Sequence, residues 1–229
     1  MRSKYKYLLF DADNTLLDFN ASERNALKVT LEDMGLVFTE KIHYDYHSIN
    51  DALWKSLERD ETDRAFVKTE RFRRLFEKHN YICGDYENLA DSFMKNIAKQ
   101  GIPMKGAIDT LGKLKDRFKI YIVTNGTAAV QVSRLALSGI DKFLDGLYMS
   151  QTIGYNKPRV EFFDHVISDI GDPDLSKYLV IGDSLTSDIK GAKNKGLDSC
   201  YVNYEHTPYS EYGPEFVVNS IEEILCLLI

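Results

Sequence analysis

Four consecutive residues, Tyr7-Leu-Leu-Phe10, form an apolar run that Asp11 and Asp13 cut short on alternate positions, before Asn14 and Thr15. A run of this kind reads as a strand buried on both faces, and the switch to carboxylates reads as its exit into a loop. Parallel α/β sheets carry their chemistry just past the carboxyl ends of such strands, which is where Asp11 and Asp13 fall. Carboxylates this close repel one another unless a positive charge lies between them, and a hard divalent cation such as Mg²⁺ is the simplest neutraliser. The same Asp-x-Asp-x-Thr pattern also suits a hydrogen-bonded turn or the cap of the next helix, so the rest of the chain has to decide.

Five further segments carry strand character: 119–123, 146–149, 178–181, 199–202 and 216–218. Helical patterning fills the intervals at 104–118, 128–138, 157–170, from the end of the fourth strand to Lys195, and from Ser220 onward. Strands alternating with helices of this length predict right-handed crossovers and a doubly wound, Rossmann-like parallel sheet with helices on both faces. Between the first two strands the period-two signal vanishes. After a first helix over 23–34, only helical segments follow at 44–57, 63–79 and 86–99. The expected α/β organisation is therefore a core of residues 1–17 and 101–229, with an all-helical domain of residues 18–100 inserted after the first strand.

The chain has 229 residues, 44% of them hydrophobic and 28% charged, enough for one substantial core and a smaller second one. Its net charge of −6 argues against a nucleic-acid polymer as partner, because phosphate-backbone binding needs a basic face. Cys83, Cys200 and Cys226 are widely spaced and form no Cys-x-x-Cys pair, as expected of free thiols in a reducing compartment. The start, Met1-Arg-Ser-Lys-Tyr-Lys6, has no signal-peptide character, and no apolar run nears the roughly 20 residues that span a bilayer. A cytoplasmic protein without a membrane partner is expected, as a monomer or small homo-oligomer.

Three strands end in chemically pointed residues: Asp11 and Asp13, Thr124 and Asn125, and Asp183 with Asp188 shortly after. Lys157, just before Pro158 at the mouth of a helix, can join them at the shared sheet edge. None of the five histidines stands at a strand end beside a serine, so the set suits peptide or ester hydrolysis poorly. It suits phosphoryl transfer, which needs an in-line nucleophile, cationic neutralisation of phosphoryl oxygens and a proton carrier for the leaving alcohol.

Phe10-Asp11-Ala-Asp13-Asn-Thr15-Leu16, Val123-Thr124-Asn125-Gly126, Asn156-Lys157-Pro158 and Gly182-Asp183-Ser-Leu-Thr-Ser-Asp188 resemble the four ordered motifs of the haloacid dehalogenase superfamily of phosphohydrolases. The resemblance covers nearly the whole chain, including the helical insertion where that family carries its C1-type cap. It implies that Asp11 is the nucleophile, forming an aspartyl-phosphate. Asp13 would be the general acid and then base, its backbone carbonyl on Mg²⁺. Thr124 and Asn125 would hold phosphoryl oxygens, and Lys157 would neutralise charge on Asp11 and the phosphoryl group. Asp183 would bind the metal directly, with Asp188 behind it. The superfamily's dehalogenases lack the second carboxylate, so Asp13 disfavours a carbon–halogen substrate. A phosphomutase shares this core, and a catalytically silent binding module is the alternative of another class.

The run Phe10 to Phe19 with Asn14, the following Ala21-x-Glu23, and the residues Gln131, Arg134 and Leu135 are similar to the pyrimidine nucleoside 5′-monophosphatases of that family. The resemblance therefore implies a nucleotide-like phosphomonoester substrate, with sugar-phosphate and phosphoglycolate phosphatases as rivals. Phe19, Trp54, Phe66 and Phe72 are candidate stacking surfaces for a base, with Phe19 nearest the proposed metal. Arg71, Arg73 and Arg74 read as a solvated face opposite Phe72, Leu75 and Phe76.

Overall fold

The computed structural model describes residues 4–229; Met1 to Ser3, the start of the N-terminal stretch considered above, lie outside the described residues. Strands β1 (Tyr7–Phe10), β2 (Lys119–Thr124), β3 (Gly146–Met149), β4 (Tyr178–Gly182), β5 (Asp198–Val202) and β6 (Phe216–Val218) form one sheet in the order β3-β2-β1-β4-β5-β6. Every neighbouring pair is parallel. Each strand lies within a residue of its apolar run, because a central parallel strand must be apolar on both faces and leaves a continuous signal.

The chain winds outward from β1 through β2 to β3, then returns to place β4 on the other side of β1. The order therefore reverses between β1 and β4, and the crevice beyond their carboxyl ends is where open α/β sheets bind ligands. Phe10, the last residue of β1, is in register with Ile122 on one side and Ile181 on the other, so β2 runs two residues and β4 one residue past it at the same sheet edge.

Alternate residues of each strand feed opposite faces. Leu8, Phe10, Ile120, Ile122, Leu179 and Ile181 pack with Leu111 of α5 (Ala107–Leu114), Leu135 of α6 (Ala128–Ser138) and Ile224 of α10 (Ile224–Leu228). Tyr7, Leu9, Val123 and Val180 pack with Phe162 and Phe163 of α8 (Val160–Ile170) and Ala192 of α9 (Lys190–Lys195). A short α7 (Ser150–Ile153) lies between β3 and α8 in the chain. Full burial of each large apolar side chain contributes about 2 kcal/mol, which is why β1, with Leu8, Leu9 and Phe10 all at 0% exposure, anchors this layer.

Contacts divide the chain into two compact units, one comprising the segment up to Phe19 together with Gly101 to Ile229, the other Asn20–Gln100. The second unit holds most of α1 (Phe19–Glu32) and all of α2 (Glu40–Glu58), α3 (Arg64–His79) and α4 (Tyr86–Ile97). Thr39, Asp63 and Asp85 cap α2, α3 and α4 by accepting from the backbone N–H of Ile42, Phe66 and Asn88. Tyr46, Phe72 and Phe93 form its aromatic core, with ring centroids 5.3–5.4 Å apart. Phe72 is therefore core, Trp54 lies under the Arg64 guanidinium, and Phe66 is 43% exposed.

Arg71 departs from the solvated face expected of it. It is buried, donates to Asn50 Oδ1 at 3.2 Å and lies over the Phe93 ring at 4.8 Å, whereas Arg73 and Arg74 stay half-exposed beside Glu70. Asn50 Nδ2 in turn donates to Glu23 Oε1 at 2.9 Å, and Glu23, fully buried, meets His47 Nδ1 at 2.8 Å and His43 Nε2 at 3.5 Å. The three cysteines are free thiols, and no described helix is long and apolar enough to cross a membrane.

Several helix starts differ from the sequence reading: α2 begins at Glu40 rather than 44 and α5 at Ala107 rather than 104, and α1 and α8 differ with a local cause. α1 begins at Phe19 rather than near residue 23, because Asn14 turns back and its Oδ1 accepts the Phe19 N–H at 3.1 Å. α8 begins at Val160, and Pro158, preceded by a cis peptide bond, lies in the turn closed by Arg159 N–H on Asn156 O.

Candidate active site

The loop leaving β1 is fixed by its own backbone. Asp11 N–H donates to Ile181 O of β4 at 2.8 Å, and Leu16 and Leu17 N–H both donate to Ala12 O. Asn14 sits at φ 55°, a left-handed conformation that asparagine tolerates, and donates its own N–H to Leu17 O. Asp11 and Asp13 are thereby held over the end of the central strand.

Lys157, only 1% exposed, reaches the same point from the turn before α8. Its Nζ donates to Asp11 Oδ1 at 2.6 Å, Asp188 Oδ1 at 2.6 Å and Val123 O at 2.7 Å, so all three ammonium hydrogens are used. Burial alone would push its ammonium down, but Asp11 and Asp188 more than offset that and hold it above the usual lysine range. The side chain of Asn125 supports this arrangement from behind. Its Oδ1 accepts Lys157 N–H and its Nδ2 donates to Lys157 O, both at 2.9 Å. The resemblance implies a phosphoryl contact for that amide; in the structure both of its polar atoms meet the Lys157 backbone.

Asp188 arrives by a wider turn than an α-helix provides. Residues Leu185–Ile189 form a π-helical turn between β4 and α9, where the sequence suggested plain helix. The turn aims the Asp188 carboxylate back at the strand end, where Oδ2 accepts Ser184 N–H at 3.1 Å while Oδ1 holds Lys157. Gly182 makes room for it: a Cβ there would lie 2.2 Å from Asp188 Oδ2. Asp183 accepts from Thr15 Oγ at 2.8 Å.

Oxygens of Asp11, Asp183 and Asp188 lie within 4.8 Å of one another. Three carboxylates thus face one ammonium in a site where burial, then Asp188 and Asp13, push Asp11 up against the pull of Lys157. Burial and the charges of Asp11 and Asp188 likewise raise Asp183 well above the usual carboxylate range. An oxygen-rich cluster with this excess of negative charge fits a hard divalent cation such as Mg²⁺.

The Asp13 carboxylate, close enough for its charge to act on Asp11, is met from α6. Gln131 Nε2 donates to its Oδ2 at 2.6 Å, and Arg134 Nη1 donates to its Oδ1. Gln131 Nε2 also donates to Thr124 Oγ at 3.0 Å. Phe19 lies across the guanidinium of Arg134, 5.5 Å from ring centroid to Cζ. Gln131 and Arg134 were noted in the sequence only as part of a resemblance. The physical signal was a glutamine and an arginine three apart, flanked by the apolar Val130 and Leu135 that pack inward.

A model of the haloacid dehalogenase-like hydrolases matches residues 5–196. The chain is 36% identical over 226 residues to the pyrimidine 5′-nucleotidase PynA of Streptococcus pneumoniae, covering 97% of this chain and 95% of that one. It is 32% identical to the pyrimidine 5′-nucleotidase YjjG of Escherichia coli, with 98% of both chains covered. A magnesium-bound crystal structure of the HAD-hydrolase YfnB of Bacillus subtilis superposes with a TM-score of 0.93 at 34% identity, over 100% of this chain and 99% of that one. With the family's match spanning most of its length and its acidic cluster at the switch point of the sheet, the chain belongs to the haloacid dehalogenase-like hydrolases.

Proposed function

We propose that the protein is a Mg²⁺-dependent phosphomonoesterase acting on nucleoside 5′-monophosphates, pyrimidine nucleotides foremost. The observation that carries the chemistry is the meeting of Asp11, Asp183 and Asp188 with Lys157 beyond β1 and β4. The choice of nucleotide rests on similarity to two pyrimidine 5′-nucleotidases.

In this reading an oxygen of Asp11 attacks phosphorus in line, the P–O bond to the alcohol breaks, and the phosphoryl group passes to the Asp11 carboxylate. Asp13 gives its proton to the departing alkoxide, then takes one from the water that attacks the aspartyl-phosphate, releasing inorganic phosphate and restoring Asp11. Lys157 orients Asp11 and offsets its charge. Thr124 accepts hydrogen bonds from Gly126 N–H and Gln131 Nε2, which leaves its own O–H to donate to a phosphoryl oxygen. Asp11, Asp183 and the main-chain carbonyl of Asp13 would hold Mg²⁺, which when bound neutralises the approaching phosphate. Asp188, with both oxygens already engaged, serves Lys157.

Purified protein assayed against a panel of phosphate monoesters, with Mg²⁺ and with EDTA, tests this. The expected result is highest kcat/KM on pyrimidine nucleoside 5′-monophosphates and loss of turnover in EDTA. Sugar phosphates outrunning every nucleotide, or isomers equilibrating faster than phosphate is released, would overturn the substrate assignment or the hydrolase assignment respectively.

A further inference from the structure

Arg134 is a fully buried guanidinium and Gln131 is 1% exposed, both on the first two turns of α6. Buried charge is costly unless paired, and the Arg134 guanidinium meets the Asp13 carboxylate. Gln131 does two things with one nitrogen, donating to Asp13 Oδ2 and to Thr124 Oγ, while its Oε1 accepts from Arg134 Nη1 at 3.2 Å. Both Asp13 oxygens are thus held from one helix, one by each donor. The backbone keeps this space open: a Cβ at Gly126 would lie 2.3 Å from Gln131 Nε2.

We propose that Gln131 and Arg134 are positioning residues that fix the proton-transferring carboxylate of Asp13, with Gln131 also setting the Thr124 hydroxyl as a donor toward substrate. This inference rests on the phosphohydrolase reading above. A general acid works only within hydrogen-bond reach of the leaving oxygen, and a two-point clamp removes the side-chain torsions that would carry Asp13 out of reach. A purely structural arginine would need its anion but not a glutamine tying that anion to Thr124.

The test compares leaving groups. An alkyl ester such as a nucleoside 5′-monophosphate needs a proton on its departing oxygen, whereas 4-nitrophenyl phosphate releases a stable anion without one. In the Mg²⁺-loaded enzyme, Arg134→Lys should lower kcat/KM on the alkyl ester about 100-fold, the size of effect expected from displacing a catalytic group by about 1 Å. On 4-nitrophenyl phosphate the same variant should lose no more than about 5-fold, since that ester bypasses the acid. In an Asp13→Asn background, Arg134→Lys should add less than about 3-fold, because residues acting as one unit are not additive. Gln131→Met and Gly126→Ala, which leave the arginine in place, should reduce both esters through Thr124 but the alkyl ester more.

Equal loss on both esters in all three variants, or full additivity with Asp13→Asn, would overturn the inference. No turnover of either ester by the wild-type protein would instead overturn the phosphohydrolase reading, and this inference with it.

Discussion

Lys157 shows how one side chain can fix the geometry of a site. Its three hydrogen bonds to Asp11, Asp188 and Val123 O use every ammonium hydrogen and tie the Asp11 and Asp188 carboxylates together beside the strand ends. Lys157→Met would leave two buried carboxylates without their cation, and breaking a buried pair in this way costs about 3–5 kcal/mol. For a chain of this length that should lower Tm by at least about 6 °C, measured by calorimetry without added metal. An unchanged Tm would mean that the ammonium does not neutralise these groups. Asp11, Asp13, Thr124, Lys157, Asp183 and Asp188 were legible because strand ends and a lysine–proline pair are local signals. The partners of Asn125 were not, since nothing in Thr-Asn-Gly says that its amide will face a peptide group 32 residues away. Arg71 was misread for a related reason: helical periodicity places it among charged neighbours, while its burial depends on Asn50 and Phe93 from other helices.

Among elements, the strands were the most legible, because burial on two faces writes itself as an unbroken apolar run. The π-helical turn at Leu185–Ile189 left no such trace, since its cause is the pull of Lys157 and Ser184 on Asp188. Within the helical unit, Glu23 links α1 to α2 through His43 and His47, and to α3 through Asn50 and Arg71. Burial pushes Glu23 up, but His47, hydrogen-bonded to it, and His43 beside it outweigh that and leave the carboxyl below its ordinary range. A carboxyl depressed on folding adds stability that is present above its unfolded value, about 4.3, and is lost as pH falls through the lower folded value. Tm of wild type and Glu23→Gln should differ fully above about pH 5, where the carboxyl is ionised in both states, and converge as pH falls below about 4. A gap that persists or widens as pH falls from about 5 to about 3 would contradict this assignment.

At the scale of the whole molecule, the reversal of strand order between β1 and β4 is what lets residues from four separate stretches of chain meet. The sheet supplies rigidity, and the loops at its edge supply charge. The alternation of strands and helices made this architecture readable before any coordinates. The α6 clamp on Asp13 was harder to read, because it depends on how a helix seats against the sheet. If Asp11 takes the phosphoryl group, rapid acid quench during Mg²⁺-dependent turnover, followed by peptide mass spectrometry, should catch it there. The expected result is a transient phosphoryl group on the peptide containing Asp11, absent in Asp11→Asn and in EDTA. Steady release of phosphate by Asp11→Asn, or turnover with the phosphoryl group never found on Asp11, would contradict it.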